Sequence, residues 1–364
     1  MATTTTNFGF DVPTSSDLVK NGATAISTLG QDIDTFLAGS PTSTAGKNKI
    51  INGDFSIWQR GTTFNSIASS TYAADRWVFG TIGDVVNVSR QSFTPNEIVA
   101  IGYGSAKYYS RMEVVSSNGS ARMTQRIENV ETLANQDVKV SFWAKANAAV
   151  SLDVYIQQNF GSGGSATPAE TTQAVSLTTS WQRFSLTFTV PSITGKTVGT
   201  SSYLELGLRE TVASTNKIFD FWGVQVEAGS TLTNFQTASG GSPQAELAMC
   251  QRYYQKSYLD STAPGTASTT QGAIMCAPDA VVSYKSFPNV IFPVQMRGSV
   301  TVTIYNPSTG TAGLSTGIRD TGASTNKPIF INNTNMTGFQ SYVDNSSTNA
   351  GNQLMFHYTA SSEL

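Results

Sequence analysis

Three aromatic residues alternate with apolar positions in strand-like segments and have polar neighbours, which suggests chemistry at a surface. They are Trp143, Tyr155 and Tyr203, and the last is followed by Glu205 and Arg209 at alternate positions. Aromatic rings stack on the apolar faces of sugars while nearby polar groups hydrogen-bond the hydroxyls. These five residues therefore predict a carbohydrate-binding platform. The alternative for each aromatic residue is that a loop, a second subunit or another domain covers it, because aromatic residues are also enriched at interfaces.

Histidine occurs once, at His357, which restricts the possible enzyme classes. A zinc site with two or three histidines is excluded, and a Ser-His-Asp relay would depend on that one residue. The sequence contains no phosphate-binding Gly-x-x-x-x-Gly-Lys loop. Glycoside hydrolysis needs only two carboxylates, so it stays open, but no spacing among the 24 acidic residues selects a pair. We expect no enzyme activity, no catalytic residues and no cofactor.

The elements that would position the aromatic residues are strands with one buried and one solvent-facing side. In "WQRFSLTFTVP" the apolar residues Phe184, Leu186, Phe188 and Val190 alternate strictly with polar ones. Three further segments repeat the pattern, with Val138, Val140 and Phe142, then Leu152, Val154 and Ile156, then Leu204, Leu206 and Leu208 on the buried side. Such one-sided alternation is typical of an antiparallel β-sandwich.

A helical pattern precedes the strands, over residues 15–38. Its apolar residues follow a heptad, with Ser16 as a possible N-cap and Gly39 as a stop. A helix with one narrow apolar seam is marginally stable alone, so we expect it to mediate oligomerisation or attachment. The alternative is that the helix packs on the β-domain of its own chain. The seam consists of Val19, Ile26, Leu29, Ile33 and Phe36.

A Gly- and Ser-rich stretch near residue 240 marks a domain boundary, and Pro243 suits the start of a short helix that includes Leu247, Cys250 and Tyr254. Strand alternation returns at residues 300–304. The predicted fold is therefore mainly β. It has an N-terminal helix in residues 1–46, a central antiparallel jelly-roll sandwich in residues 47–240 and a smaller C-terminal β-domain in residues 241–364.

Composition limits the partners. Lys plus Arg number 22 and Asp plus Glu number 24, so no net positive field favours nucleic acid or an anionic membrane. No run of eighteen apolar residues and no signal peptide is present, which predicts synthesis in a cytoplasm. Two cysteines, Cys250 and Cys276, are either reduced or joined in one optional bridge. A role at a cell surface would then require release by lysis.

Six blocks in order resemble a recurring module of tailed-bacteriophage tail-fibre-like virion structural proteins. Their central domain is similar to a carbohydrate-binding jelly roll. The N-terminal "NFGFDVPTSSDLVKNGATAISTLGQDID" also resembles the leader that joins such proteins to the particle. The six blocks are "KNKIINGDFSIWQRGTTF", "YAADRWVF", "VKVSFWAKA", "SWQRFSLTFTVPS", "FDFWGVQVEAGSTLTNFQ" and "ELAMCQRYYQKS".

The resemblance implies that "NGDF" begins the first strand. Phe55 and Ile57 would then face the core, while Trp58 and Arg60 would face outward. Some family members hold calcium nearby, for which the candidates here are Asp54 and Asp220. The glutamate of the family is Ser56 in this chain, and we predict no metal.

Together these observations predict a tail fibre or appendage that mediates adhesion to host-surface glycans. It would be a homotrimer made in the host cytoplasm and assembled onto the virion, with other virion proteins bound through its N-terminal segment. One alternative is a purely structural head-fibre, collar or adaptor protein, and the other is a glycan depolymerase.

Overall fold

The structure is a computed structural model. It describes residues 3–4, 11–12, 21–39, 46–67, 70–116, 119–210, 216–260, 262–267, 270–276, 284–312, 319–320, 329–344 and 354–364. A two-stranded ladder joins β1 (Thr3–Thr4) to β2 (Asp11–Val12). The helices are α1 (Gly22–Gly39), α2 (Pro95–Ile101) and α3 (Pro243–Gln251). No helix in the described part of the chain combines the length and apolar character needed to cross a membrane.

In the described part of the chain, twelve strands form a sandwich of two antiparallel six-stranded sheets. Sheet I has the order β11-β10-β13-β8-β5-β4, and sheet II has the order β12-β9-β14-β7-β6-β3. The strands are β3 (Thr63–Phe64), β4 (Thr71–Tyr72), β5 (Val78–Ile82), β6 (Val85–Ser92), β7 (Tyr108–Ser116), β8 (Ser120–Glu128), β9 (Gln136–Ala146), β10 (Val150–Asn159), β11 (Thr171–Leu177), β12 (Gln182–Val190), β13 (Tyr203–Glu210) and β14 (Lys217–Ala228).

The core of the sandwich lies between the two sheets, as the alternating pattern predicts. On β12, Phe188 and Val190 are buried, and Phe184 and Leu186 are partly buried against the same core. The predicted apolar residues of β9 in the same sheet, and of β10 and β13 in the facing sheet, are all buried. These nine residues are Val138, Val140, Phe142, Leu152, Val154, Ile156, Leu204, Leu206 and Leu208. The mainly β antiparallel sandwich is therefore confirmed.

A smaller C-terminal β-domain follows α3. Its five-stranded sheet is built around β23 (Leu354–Ser361), and its four-stranded sheet is built around β22 (Gly338–Asp344). Tyr254, expected in the helix, instead begins a strand that pairs with β23. The strands are β15 (Tyr254–Lys256), β16 (Ile274–Cys276), β17 (Tyr284–Ser286), β18 (Val290–Ile291), β19 (Thr301–Tyr305), β20 (Arg319–Asp320), β21 (Ile329–Asn335), β22 (Gly338–Asp344) and β23 (Leu354–Ser361). The domain divisions at residues 46 and 240 stay predictions.

Buried charges connect the C-terminal β-domain to the sandwich. Glu363 accepts hydrogen bonds from Arg60 at 2.9 Å and from Arg76, whose side chain is almost fully buried. Arg60 also reaches Asp75 at 3.4 Å. The ring of Tyr253 lies 3.5 Å from the Arg76 guanidinium carbon. Since an unpaired buried charge is costly, this network fixes the two parts against each other.

The predicted N-terminal helix is present as α1 and includes Gly39. Ile26 and Ile33 of the predicted seam are 66% and 40% exposed, and Leu29 is half-buried. Ser16 and Val19 lie outside the described residues, as does the side chain of Phe36. Among the described elements, α1 contacts β2. The role of the seam in oligomerisation stays a prediction.

The segment "NGDF" is not a strand, so that expectation is wrong. Asn52 and Phe55 both have positive φ, at 57° and 54°, which turns the chain into a compact loop. The alternation therefore fails, because Phe55 and Trp58 are both buried whereas Ile57 is only partly buried. The loop is stabilised by its own hydrogen bonds, including one of 2.7 Å from Trp58 Nε1 to the Phe55 carbonyl.

Candidate functional site

A cavity of about 450 Å³ opens at the outer face of sheet II, next to α3. Four segments form its walls: the loop after Asn52, the connection from α2 to β7, the middle of β14, and the chain that leads into α3. Aromatic and polar side chains line it together, which is typical of a small-molecule site. The lining residues that bear on its chemistry are Asp54, Tyr103, Lys107, Trp222, Phe235 and Glu246.

The loop at the cavity is shaped by Asn52 and Gly53. The Asn52 side chain donates to the carbonyls of Ile57 and Asp75, at 2.9 and 3.0 Å, and accepts from the Ile57 N–H. The Gly53 carbonyl accepts from the Val224 N–H at 2.9 Å. A Cβ on Gly53 would lie 2.2 Å from the Val224 oxygen, so only glycine permits this approach. The Asn-Gly pair therefore positions the next residue, Asp54, at the cavity.

Glu246, on α3, ties the loop to the helix. Its Oε1 accepts from the Asn52 N–H at 2.6 Å, and its Oε2 accepts from the Ser239 N–H at 2.9 Å. The residue is buried. Both carboxylate oxygens are thus engaged by backbone donors, and Glu246 serves the geometry of the cavity more than it offers a group to a ligand.

Asp54 is the carboxylate that stays available. Its Oδ1 accepts from the N–H and the hydroxyl of Ser56, at 3.4 and 3.0 Å. Both bonds fall on Oδ1, so among the described contacts Oδ2 is left for a ligand. Burial, with the nearby charge of Glu246, raises the pKa of Asp54 to about 6. The residue is therefore ionised at neutral pH and becomes protonated under mildly acidic conditions.

An aromatic cluster forms the apolar wall. The ring centroid of Trp222 lies 5.2 Å from that of Tyr103 and 4.9 Å from that of Phe235. The Tyr103 hydroxyl accepts from the Phe235 N–H at 2.7 Å, which fixes two of the rings. Trp222 is buried, and its Nε1 has no hydrogen-bond partner among the described residues. A buried donor without an acceptor is costly, and a ligand with an acceptor would satisfy it.

The helix α2 holds Tyr103 over sheet II. Thr94 and Glu97 form a capping box at its start, and Gly102 ends it in the left-handed conformation. The Glu97 carboxylate also accepts from Lys145 at 2.6 Å and from Trp181 Nε1 at 3.1 Å. Burial raises the pKa of Glu97, but these hydrogen bonds outweigh it and lower the value to about 2. Glu97 therefore stays ionised and anchors α2 to the sheet.

Trp143 does not lie on an open surface, so that expectation is wrong. It is 6% exposed and packs against Trp222, Tyr103 and the Arg183 guanidinium, which lies 4.5 Å from the ring centroid. The physical reason is that the connection from α2 to β7 and the chain around Phe235 fold over the outer face of sheet II. Trp143 thus supports the cavity wall from behind.

The other four predicted platform residues lie together on the outer face of sheet I. Tyr155 donates to Glu205 at 3.0 Å, and the Arg209 guanidinium lies 4.9 Å from the Tyr155 ring centroid. Tyr155 is only 1% exposed, so the expectation of an open ring is wrong. Its ring crosses Gly207 so closely that a Cβ there would lie 2.2 Å from it. Tyr203 is half-buried, under the guanidinium of Arg126.

The polar members of this face are engaged with each other. Arg209 pairs with Glu170 at 2.5 Å and with Asp153 at 3.5 Å. Glu205 accepts from Arg126 at 3.3 Å. Sheet I thus brings Tyr155, Tyr203, Glu205 and Arg209 together, while Trp143 lies on the outer face of the other sheet. Their proposed role in binding sugar stays a prediction.

The two carboxylates considered for calcium serve other contacts. Asp220 accepts from Arg111 at 2.7 and 2.9 Å, and Asp54 faces the cavity. Within the described residues, no group of three or more His, Cys, Asp or Glu side chains is arranged to hold a metal ion. Cys250 is buried without a disulfide, and burial raises the pKa of its thiol.

Sequence reasoning missed most of the cavity residues. Tyr103, Phe235 and Glu246 were not predicted, because each comes from a connecting segment or a short helix. One signal was present in the sequence: "TPNE", at residues 94–97, has the spacing of a capping box with proline at the first helical position. It would have predicted a helix that carries Tyr103 at its end.

Residues 87–209 match a family described as "Carbohydrate binding domain". The match covers less than half of the chain and includes α2, Tyr103 and Lys107 as well as strands of both sheets. This part of the sandwich is therefore similar in sequence to carbohydrate-binding domains. No curated protein matches the chain in sequence.

Solved structures that match the chain include the enzymatically active domain of tailspike protein 4 of bacteriophage CBA120. The match has 18% identity and a TM-score of 0.35, and it covers 52% of this chain and 22% of that chain. A structure titled "CBM4 structure and function" matches at 18% identity and a TM-score of 0.32, with coverages of 49% and 98%. TmCBM61 in complex with β-1,4-galactotriose matches at 13% identity and a TM-score of 0.30, and the match covers 50% of this chain and 99% of that chain. Identities and TM-scores this low assign neither ligand nor activity to this chain.

Proposed function

We propose that this protein binds glycans without cleaving them and that the sugar enters the cavity bounded by Tyr103, Trp222, Phe235 and Asp54. The observation that carries the proposal is the buried Trp222 indole N–H, which has no acceptor among the described residues and belongs to the lining of an aromatic cavity. The family match at residues 87–209 supports the same ligand class.

The chemistry of the lining suits a sugar. Tyr103, Trp222 and Phe235 supply apolar surface for the C–H face of a pyranose ring. A hydroxyl group both donates and accepts a hydrogen bond, so sugar hydroxyls can serve the Trp222 donor and the Asp54 acceptor alike. A single shallow site of this kind gives weak affinity, on the order of millimolar, because few groups are fully desolvated.

Weak sites become effective through multiple copies. The exposed Ile26 and Ile33 on α1, spaced one heptad apart, favour association of several chains, and we propose a homotrimer. Rigid copies that engage one surface together raise the overall affinity by orders of magnitude. The resemblance of the sequence blocks supports the biological setting: a tailed-phage tail fibre or appendage, assembled in the host cytoplasm, that adheres to host-surface glycan.

The test is binding of host-surface oligosaccharides to the folded full chain, measured by isothermal titration calorimetry. Trp222→Phe keeps an aromatic ring but removes the indole N–H, so we expect affinity to fall about tenfold while the fold is kept. Trp181→Phe is the matched control: it removes an indole N–H outside the cavity lining, while Lys145 and the Thr94 N–H still donate to Glu97 and keep α2 in place. Binding that is the same in wild type and Trp222→Phe would overturn the assignment of the site.

A further inference from the structure

The charged side chains that line the cavity differ in how directly a bound ligand could contact them. Three formal charges belong to the lining: Asp54, Glu246 and Lys107. Glu246 is committed to two backbone N–H groups. Lys107 is exposed, with its Nζ 5.0 Å from the Tyr108 ring centroid, so water and salt screen it. Asp54 is left as the charge that a bound molecule meets directly.

We infer that Asp54 determines specificity: the cavity accepts sugars that present a neutral hydroxyl or an amino group to this carboxylate, and it rejects sugars that carry a carboxylate there. The inference rests on the proposed glycan-binding function and names the ligand class of the same site.

Two physical arguments support this selectivity. An ionised carboxylate only accepts hydrogen bonds, so Asp54 needs a donor on the ligand, which a hydroxyl or ammonium group supplies and a uronate carboxylate does not. In addition, the field of Asp54 adds to that of the buried Glu246 in a partly desolvated space, where like charges repel strongly. The Trp222 N–H could donate to a ligand anion, but two carboxylates oppose that single neutral donor.

The charge of Asp54 can be removed by a substitution that keeps the hydrogen bonds of its turn. Asp54→Asn keeps an Oδ1 that can accept from the Ser56 N–H and hydroxyl, while it removes the charge. Asp137→Asn is the matched control. Asp137 is an exposed aspartate outside the lining whose Oδ1 accepts from the Thr189 hydroxyl at 2.6 Å, and its substitution changes the net charge equally.

The experiment compares methyl glycosides of glucose and galactose with their 2-amino and 6-carboxylate counterparts. Binding to the full chain is measured by saturation-transfer NMR titration at pH 7.5. We expect the neutral and 2-amino sugars to bind wild type at least about tenfold more tightly than the uronates. Asp54→Asn should reduce that ratio about tenfold, and Asp137→Asn should leave it unchanged.

The outcomes separate the two proposals. Uronates that bind wild type as tightly as the neutral sugars, or a ratio that Asp54→Asn does not change, would overturn the role of Asp54 and leave glycan binding in place. No binding of any of these sugars, together with no binding of host-surface oligosaccharides in the calorimetric test, would overturn both.

Discussion

The Glu246 carboxylate accepts a hydrogen bond of 2.6 Å from the Asn52 N–H across 194 residues of sequence. Its second oxygen accepts from Ser239. One buried side chain thus connects the first loop of the sandwich, the chain that follows β14, and α3. The position of Asp54, two residues after Asn52, depends on this link.

We expect Glu246→Ala to lower the free energy of unfolding by about 2–4 kcal/mol, because two backbone N–H groups lose a charged acceptor inside the protein. Glu246→Gln should cost less, since the amide oxygen can still accept one of the two bonds. Urea denaturation measures both. Glu131→Ala is the control, because Glu131 is exposed and its carboxylate accepts from the nearby Asn129 side chain at 3.3 Å. Equal effects of Glu246→Ala and Glu131→Ala would contradict the role of Glu246.

The Glu363 carboxylate should matter far more than an exposed one. Glu363→Gln leaves the buried Arg76 guanidinium without its ionic partner, so we expect a loss of about 3–5 kcal/mol in unfolding free energy. Glu128→Gln breaks the ion pair between Glu128 and Arg252. Because these side chains are 34% and 41% exposed, the loss should be less than about 1 kcal/mol. Thermal and urea unfolding of both variants would show the difference. A loss for Glu363→Gln no larger than for Glu128→Gln would argue against a charge-fixed connection.

The buried Asp75 carboxylate should make the free energy of unfolding depend on pH. Burial raises its pKa to about 6 despite the opposing charge of Arg60 and the hydrogen bonds from Gln59. The folded pKa lies above the unfolded value, so folding favours the protonated form. The wild type therefore gains stability from this group as pH falls from about 6 towards 4.

Asp75→Asn removes that gain. The unfolding free energy of wild type minus that of Asp75→Asn should rise by about 2 kcal/mol between pH 7.5 and 4.5. Urea denaturation at the two pH values measures it. A difference that stays constant, or falls with acidification, would mean that the Asp75 carboxylate is not destabilised by burial.

The apolar seam of α1 can be tested by adding charge. Ile26→Glu places a carboxylate in the proposed interface and should raise the dissociation constant of the oligomer about a hundredfold or more, because like charges would be buried together. Gln31→Glu adds the same charge at an exposed position on the opposite side of the helix and should have little effect. Analytical ultracentrifugation of the full chain gives the mass. A monomeric wild type, or equal masses for both variants, would contradict the proposed trimer.

The strands of the sandwich could be predicted because each encodes its two faces locally. Phe188, Leu206 and Val140 follow the period of a pleated strand, and their burial requires no knowledge of distant residues. The loop at Asn52 could not be predicted in this way. Its shape depends on Glu246 and Val224, which are far away in sequence, so the strand that the resemblance implied at this position is a loop instead.

The aromatic residues illustrate the same limit. Periodicity correctly placed Trp143 and Tyr155 on the faces away from the core. Periodicity could not show that Tyr103 and Phe235 cover Trp143, or that Arg209 lies over Tyr155. Coverage of an outer face is a tertiary property, and the connecting segments that provide it carry no periodic signal.

The most direct test of the account is the indole N–H resonance of Trp222 during a titration with host-surface oligosaccharide. The chain has five tryptophans, so tryptophan-selective ¹⁵N labelling gives few signals, and the Trp222→Phe variant assigns the one that matters. We predict that this resonance shifts downfield as the sugar binds, because the indole donor gains an acceptor. A sugar that binds while the Trp222 resonance stays in place would contradict the assignment of the cavity as the glycan site.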